Sequence, residues 1–313
     1  MGAGSDGDAT TIDRISGQQP LLAERIGPDR IEVAQFVPPP ELAPFVTQIY
    51  HFRCEESVVR DSQPAALGHL VFFIRGSGSL RFEDGHVDHV HPASFFGPGT
   101  ASAEFDLSGP MEDFGLALSP LGIVALTGKP APVYSNRLVD ASEIFGEGIA
   151  KLAKQFAEGR RAGTLSVREM VEQVTRFLLP FRKSVPSSHI GLIREVIDWL
   201  SGEFDPDVEA IFARLPMSRS TSTRLIRHYF GSSPKQLMRK YRALRAATVL
   251  CDPDAPPEAR ERIESLFYDQ SHMIREIRHF TGRTPGALES DDTKILRIWL
   301  SKDNYRELSA YPG

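Results

Sequence analysis

The stretch Arg224-Leu225-Ile226-Arg227-His228-Tyr229-Phe230-Gly231-Ser232-Ser233-Pro234 returns 51 positions later as Arg275-Glu276-Ile277-Arg278-His279-Phe280-Thr281-Gly282-Arg283-Thr284-Pro285. Both copies read Arg-x-Ile-Arg-His-aromatic-x-Gly-x-(Ser/Thr)-Pro. Two arginines three residues apart share one face of a helix. A glycine then stops the helix, and Ser/Thr-Pro opens the next one. One structural unit is therefore used twice. Two equivalent basic helices in one small region fit a ligand that repeats in space, and duplex DNA is such a ligand.

The flanking residues predict the helices around each copy. Pro180 to Ser188 is polar and carries two prolines, as an interdomain linker does. Ile190, Ile193, Val196, Ile197 and Leu200 then line a first helix. Asp205-Pro206 reads as an N-cap followed by proline at the first helical position, with Val208, Ile211, Phe212 and Leu215 on the short helix that follows. Leu215-Pro216-Met217 makes a tight turn. Ser218 caps a third helix that ends at Gly231, and Ser233-Pro234 opens a longer one through Leu237, Tyr241, Leu244 and Ala247. A short helix, a tight turn and a basic helix form a helix-turn-helix layout.

In that layout the second helix enters the major groove and its early residues meet base edges. Ser222, Leu225, Ile226 and Tyr229 are expected to pack inward, as are Met273, Ile277 and Phe280 in the copy. Ser220, Thr223 and Arg224, with Ser271, His272 and Arg275, are then the expected base-reading residues. Arginine can grip guanine O6 and N7 bidentately, and hydroxyls suit either a base edge or a phosphate. Ser218, Arg219, Arg227, Lys235 and Arg278 are the expected contacts to the DNA backbone.

The net charge of −5 over 313 residues speaks against DNA until its distribution is read. Nine basic residues lie between Arg214 and Arg245, in a window with no Asp or Glu: Arg214, Arg219, Arg224, Arg227, Lys235, Arg239, Lys240, Arg242 and Arg245. The acids Glu195, Asp198, Glu203, Asp205, Asp207 and Glu209 sit just upstream. Such a run reads as a nucleic-acid footprint.

Residues 31–132 have a different period. Leu70-Val71-Phe72-Phe73-Ile74, Leu80-Arg81-Phe82, Phe105-Asp106-Leu107 and Phe114-Gly115-Leu116-Ala117-Leu118 are short apolar runs parted by Gly, Pro and Asp. They predict strands of a sandwich or barrel. Asp140-Ala141-Ser142-Glu143 and Ser166-Val167-Arg168-Glu169 each fit a capping box. The second starts a helix whose stripe of Val167, Met170, Val171, Val174, Phe177 and Leu178 is expected to cover the strands. Residues 1–30 read as a mobile tail. No signal-peptide core is visible and no apolar run approaches the roughly 18 residues of a membrane span, so a cytoplasmic, nucleoid-associated protein is expected. Cys54 and Cys251 make neither a disulfide framework nor a zinc site.

Enzyme chemistry has weaker support. His89-x-His91 has the spacing of metal-binding cupins, which supports an alternative: a metal-dependent cupin enzyme with a DNA-binding appendage. The glutamate that should follow is replaced by Phe95 and Phe96. No phosphate loop and no Ser-His-Asp set is evident. No cofactor and no catalytic residue is therefore expected.

The segment from about His189 to Leu288 resembles the two-helix-turn-helix DNA-binding domain of AraC/XylS-type bacterial transcription regulators. Ser218, Arg224, Gly231, Ser233 and Pro234 fall in register with the first motif. Phe267-Tyr268-Asp269-Gln270-Ser271-His272-Met273-Ile274-Arg275, followed by Gly282-Arg283-Thr284-Pro285, falls on the second. Arg262 and Leu266 stand where that family has a small residue and a glycine, which puts the turn into the second recognition helix in question. Pro38-Pro39-Pro40-Glu41-Leu42-Ala43 and Leu118-Ser119-Pro120-Leu121-Gly122 resemble parts of the sensor half. The resemblance implies an α+β chain with a cupin-like β-barrel and trailing helices at 31–183 and an all-α double helix-turn-helix domain at 184–290. A helical extension at 291–313 follows, carried by Ile295, Leu296, Ile298, Trp299 and Leu300. It further implies a sequence-specific regulator of double-stranded DNA, controlled by a small effector or by homodimer formation through its N-terminal domain, and, for an activator, a contact with RNA polymerase.

Overall fold

The computed structural model describes residues 22–25, 31–288, 296, 299 and 300. Nine strands precede most of the helices: β1 (Leu22–Arg25), β2 (Ile31–Phe36), β3 (Val46–Cys54), β4 (Val58–Gln63), β5 (His69–Arg81), β6 (Val87–His89), β7 (Ala93–Phe96), β8 (Ala103–Leu118) and β9 (Leu138–Asp140). All pairs are antiparallel, in the order β1-β2-β3-β8-β5-β7-β9, with β4 on β8 and β6 on β5. The 16-residue β8 is the spine. It pairs with β4 through Ala103–Ser108, with β3 through Met111–Leu118, and with β5 along most of its length.

Two expectations change here. The sheet curls but does not close among the described strands, because its ends are the short strands β1 and β9 and these do not pair. Short edges of this kind limit pairing with foreign strands. Part of the expected tail is structured as well: β1 pairs with β2 from Leu22↔Gln35 to Arg25↔Glu32. Residues 1–21 and 26–30 lie outside the described residues.

Side chains alternate across β8, as the two-residue period of a strand requires. Phe114, Leu116 and Leu118 face the helices and are fully buried. Met111, Asp113, Gly115 and Ala117 face the concave side. The outer face is covered by α3 (Glu147–Arg161), whose Phe156 ring lies 5.0 Å from Phe72 and 5.9 Å from Phe114. The expected stripe on α4 (Val167–Leu178) buries Val167, Met170, Val171, Val174 and Leu178, and that helix packs against α3. Its capping box forms, with Ser166 Oγ and the Glu169 carboxylate each serving the other's backbone. The box expected at Asp140 does not form. There α2 (Ser142–Phe145) is a single turn, and Asp140 Oδ1 accepts from the Ser142 amide at 2.8 Å.

The remaining helices are α5 (Ser187–Gly202), α6 (Val208–Arg214), α7 (Arg219–Phe230), α8 (Pro234–Cys251), α9 (Pro257–Ser265), α10 (Gln270–Thr281) and α11 (Pro285–Leu288). The cap of α6 is Asp207 rather than Asp205: Asp207 Oδ1 accepts from the Glu209 amide at 3.0 Å. Asp205 instead takes the Arg242 guanidinium at 3.1 Å. At the turn into α10, Leu266 has φ −78° and ψ −12°, open to any residue, so no glycine is needed there. Phe267 is then buried beneath the Arg242 guanidinium, 5.0 Å above its ring.

The two halves meet along a continuous seam. Helix α1 (Pro120–Thr127) is apolar on every side and is buried between the sheet, α5 and α7. A helix without a polar face belongs inside. The amides of Ala65 and Ser102 donate to the carbonyls of Phe280 (2.8 Å) and His279 (2.9 Å) in the last turn of α10. Arg283 grips Asp61 at 2.7 Å and His279 meets Glu83 at 3.0 Å. Lys240, 2% exposed, donates to the carbonyls of Ala66 and Gly99 at 3.2 and 3.1 Å. A buried ammonium needs such partners. Of the expected extension only Leu296, Trp299 and Leu300 lie within the described residues. The Trp299 ring meets Phe105 edge-on at 5.2 Å, and Leu300 O accepts from Thr248 Oγ1 at 2.7 Å. No described helix is long and apolar enough to cross a membrane.

Candidate DNA-reading face and lumen pocket

Both repeats fold into the same object. Ser218 Oγ accepts from the Thr221 amide at 3.3 Å to start α7, and Asp269 Oδ1 accepts from the His272 amide at 2.7 Å to start α10. Both helices stop at a glycine with φ +77°, Gly231 and Gly282, a conformation that favours glycine. The expected inward faces are buried: Ser222, Leu225, Ile226 and Tyr229 on α7, and Met273, Ile277 and Phe280 on α10. Both glycine ends abut the sheet domain. A Cβ on Gly231 would lie 2.8 Å from Ser135 Oγ, and one on Gly282 would lie 2.3 Å from Ser62 Oγ. The N-terminal ends, which carry the candidate base readers, therefore lead away from the seam.

At those N-terminal ends Ser220, Arg224, Ser271 and Arg275 are exposed and Thr223 is half-buried. One turn on, Arg227 and Arg278 are exposed, as is Lys235 at the start of α8. None of these cations makes an ion pair among the described residues. Besides the capping Ser218, two candidates have protein partners. Arg219 holds Glu209 through two contacts of 2.5 and 2.8 Å and stacks 4.3 Å over Phe212. His272 places Nε2 3.4 Å from Glu276 Oε2 and its ring edge against Phe267, while its Nδ1 is buried without a partner.

Besides Arg219, four of the nine cations in the acid-free basic window are engaged within the protein. Arg239 and Arg242 converge on Glu276 of α10 at 2.7 and 2.6 Å. Lys240 is spent on the seam, and Arg245 donates to the carbonyls of Glu203 (2.6 Å) and Leu200. These cations neutralise an acid and carbonyls that are distant in sequence, so a window count cannot see them. The repeat itself held the signal. Glu276 occupies the position that Leu225 fills in the first copy, and both are buried.

A pocket missed from sequence lies on the concave side of the sheet, with a cavity volume of about 160 Å³. Its walls include Phe52, Phe73, Phe96 and Phe105. They also include residues 63–67 and, from the other half of the chain, Leu244 of α8 and Trp299. Gly115 lacks a side chain, and the Tyr50 ring lies in the space a Cβ there would need. The Tyr50 hydroxyl is 3.4 Å from His69 Nδ1. Burial holds His69 down at about 4, so the ring is neutral near pH 7. Burial, with the neighbouring Glu112 charge, pushes the Asp113 carboxyl up to about 8. Glu112 points to the opposite face. Burial there opposes its ionisation, but the His51 hydrogen bond at 2.9 Å and Arg160 at 3.0 Å outweigh it and hold Glu112 at about 2.

The histidines of the enzyme alternative lie elsewhere. His89 pairs with Ser79 on the β5–β6 hairpin, and His91 Nδ1 sits 3.6 Å from Asp140. Neither lines the pocket, and no cluster of three potential metal ligands occurs among the described residues.

The profile of the family described as a helix-turn-helix domain matches residues 211–290. No curated protein matches the chain. Among solved structures, ToxT from Vibrio cholerae O395 aligns with a TM-score of 0.41 and 10% identity, over 76% of this chain and 94% of that one. ToxT from Vibrio cholerae strain SCE256 with bound unsaturated fatty acid aligns with a TM-score of 0.43 and 8% identity, over 89% and 98%. The AraC-like transcriptional activator CuxR aligns with a TM-score of 0.34 and 13% identity, over 75% and 85%. The matched residues run from within α6 to beyond α11, so α6 to α11 carry the likeness to that helix-turn-helix family.

Proposed function

We propose that α7 and α10 read two successive major-groove segments of an operator, and that a small molecule in the lumen pocket adjusts how they are presented. Ser220, Thr223 and Arg224 serve the first segment, and Ser271, His272 and Arg275 the second. Ser218, Arg219, Arg227, Lys235 and Arg278 hold phosphates, with Arg219 exchanging Glu209 for one. The observation that carries effector control is the shared wall. Ala65 lines the pocket and its amide donates to Phe280 O on the second recognition helix, while Leu244 brings the helix connecting the two motifs to the same cavity. A ligand there touches the backbone that holds α10. The reading extends to a homodimer on the operator and, for an activator, a contact with RNA polymerase.

Selection of bound DNA from a random pool by the full chain, at stated salt because phosphate contacts dominate affinity, tests the DNA-reading part. Enrichment of a site with two blocks about one helical turn apart is expected. Enrichment of a single block, or of none, overturns it.

A further inference from the structure

Among the described residues the lumen pocket has no Lys or Arg to receive an acid, and its one histidine, His69, is neutral near pH 7. The ionisable group facing the cavity is Asp113, 9% exposed. Burial and the Glu112 charge are what act on it, and no hydrogen bond from a described residue stabilises its charged form. On the other face Arg160 is committed to Glu112, and Arg53 and Arg75, opposite Glu112 in the strand register, pair with Glu32 and Glu55. A carboxyl left unpaired in an apolar chamber is costly unless something else completes it.

The walls indicate what completes it. Tyr50, Phe52, Phe73, Phe96, Phe105 and Trp299 surround the same space. Aromatic faces attract a cation through their quadrupoles, most strongly where water is excluded. A carboxylate ligand would bring a negative charge into the chamber with no described cation to offset it, whereas an ammonium can pair with the carboxylate that Asp113 becomes on losing its proton. The volume sets the size: a cavity of about 150 Å³ holds a benzene-sized molecule, not a long acyl chain. We propose that the pocket binds a compact apolar amine, its ammonium against the Asp113 carboxylate and its hydrocarbon body among the aromatic walls. The proposal rests on the effector reading above and names the ligand class for that site.

Three probes that share a 2-phenylethyl body separate the alternatives: 2-phenylethylamine, 2-phenylethanol and 3-phenylpropionate, each titrated calorimetrically into the full chain at pH 7. The amine is expected to bind at least tenfold more tightly than the other two. Its binding should release a proton, because Asp113 must ionise to pair with it, so the measured heat should change with the ionisation enthalpy of the buffer. Asp113→Asn should weaken the amine at least tenfold and leave the alcohol unchanged. Equal or tighter binding of the alcohol or the propionate, or amine binding by the unaltered chain without proton release, overturns the amine assignment and leaves the pocket as an effector site. Failure of all three to bind overturns the pocket reading as well. The proton-release measurement needs no variant and decides the question even where Asp113→Asn folds poorly.

Discussion

Glu276, buried in the second recognition helix, accepts from Arg242 Nη2 at 2.6 Å and from Arg239 Nε at 2.7 Å. The two arginines come from α8, which connects the two helix-turn-helix motifs. The pairs therefore set how α10 sits relative to α8, and through α8 relative to α7. Taking one partner from a buried pair costs about 3–5 kcal/mol, because the other charge is left without compensation. Glu276→Leu is expected to lose stability on that scale in denaturant titration. Adding Arg242→Met should restore much of it, since an apolar pair of similar volume removes the stranded charge. Full destabilisation retained in the double variant would mean that the cost is one of shape, not charge.

The seam offers a second test at Gly282. Alanine there meets two problems: φ of +77° and a Cβ 2.3 Å from Ser62 Oγ. The first alone costs roughly 1–2 kcal/mol. Gly85 supplies the control, with φ +88° and nothing within 4 Å of the place a Cβ would take. Gly85→Ala should lose stability without disturbing the seam. Gly282→Ala should lose more and speed hydrogen exchange at the Ala65 and Ser102 amides, which bond to the last turn of α10. Equal exchange at those amides in both variants would show that the contact does not depend on close approach at Gly282.

Neighbours on β8 give opposite pH dependences. Asp113 has its folded value raised to about 8 from an ordinary 3.8, so the folded state holds a proton that the unfolded chain has released. Its contribution falls as pH rises from about 4 to about 8 and is level above that. Glu112 is lowered to about 2 from 4.5, so its contribution is present above 4.5 and is lost as pH falls toward 2. From these two groups together, stability is greatest near pH 4–5 and declines toward 8. Asp113→Asn should flatten the decline between pH 5 and 8 in thermal unfolding and leave the acid limb in place. A decline that persists in the variant would assign it to another group.

The recognition helices were legible because each of their signals is local. The caps at Ser218, Gly231, Ser233 and Gly282, the inward stripes and the outward arginines follow from spacing within a dozen residues. The shift of the α6 cap from Asp205 to Asp207 was not legible, because Arg242, 37 residues away, claims Asp205. The same holds for the basic window, where Glu276 and two backbone carbonyls take arginines that look free in sequence. The pocket was the least legible part. Its polar groups come from β2, β3, β4, β5 and β8, and only strand pairing brings Tyr50 opposite Gly115 and Phe52 opposite Asp113. Leu244 and Trp299 reach it from the far end of the chain.

Arg224 and Arg227 lie three residues apart on α7, both exposed and neither ion-paired among the described residues, yet they should behave differently. In the proposed docking Arg224 is nearer the N-terminal end, the one assigned to the groove, where a bidentate contact to guanine discriminates by about 1–3 kcal/mol. Arg227 is one turn closer to the seam and is assigned in that docking to the backbone of the duplex. Arg224→Ala is expected to weaken the selected operator by that amount, relax preference at one base pair and change random-sequence binding little. Arg227→Ala should weaken both by similar factors and reduce the salt slope of binding by about 1. On α10, Arg275→Ala and Arg278→Ala should repeat the contrast at the second block. Competition titrations of all four variants against operator and random duplex, at two salt concentrations, provide the measurement. Equal losses on both duplexes for Arg224→Ala and Arg227→Ala would remove the base-reading role from Arg224.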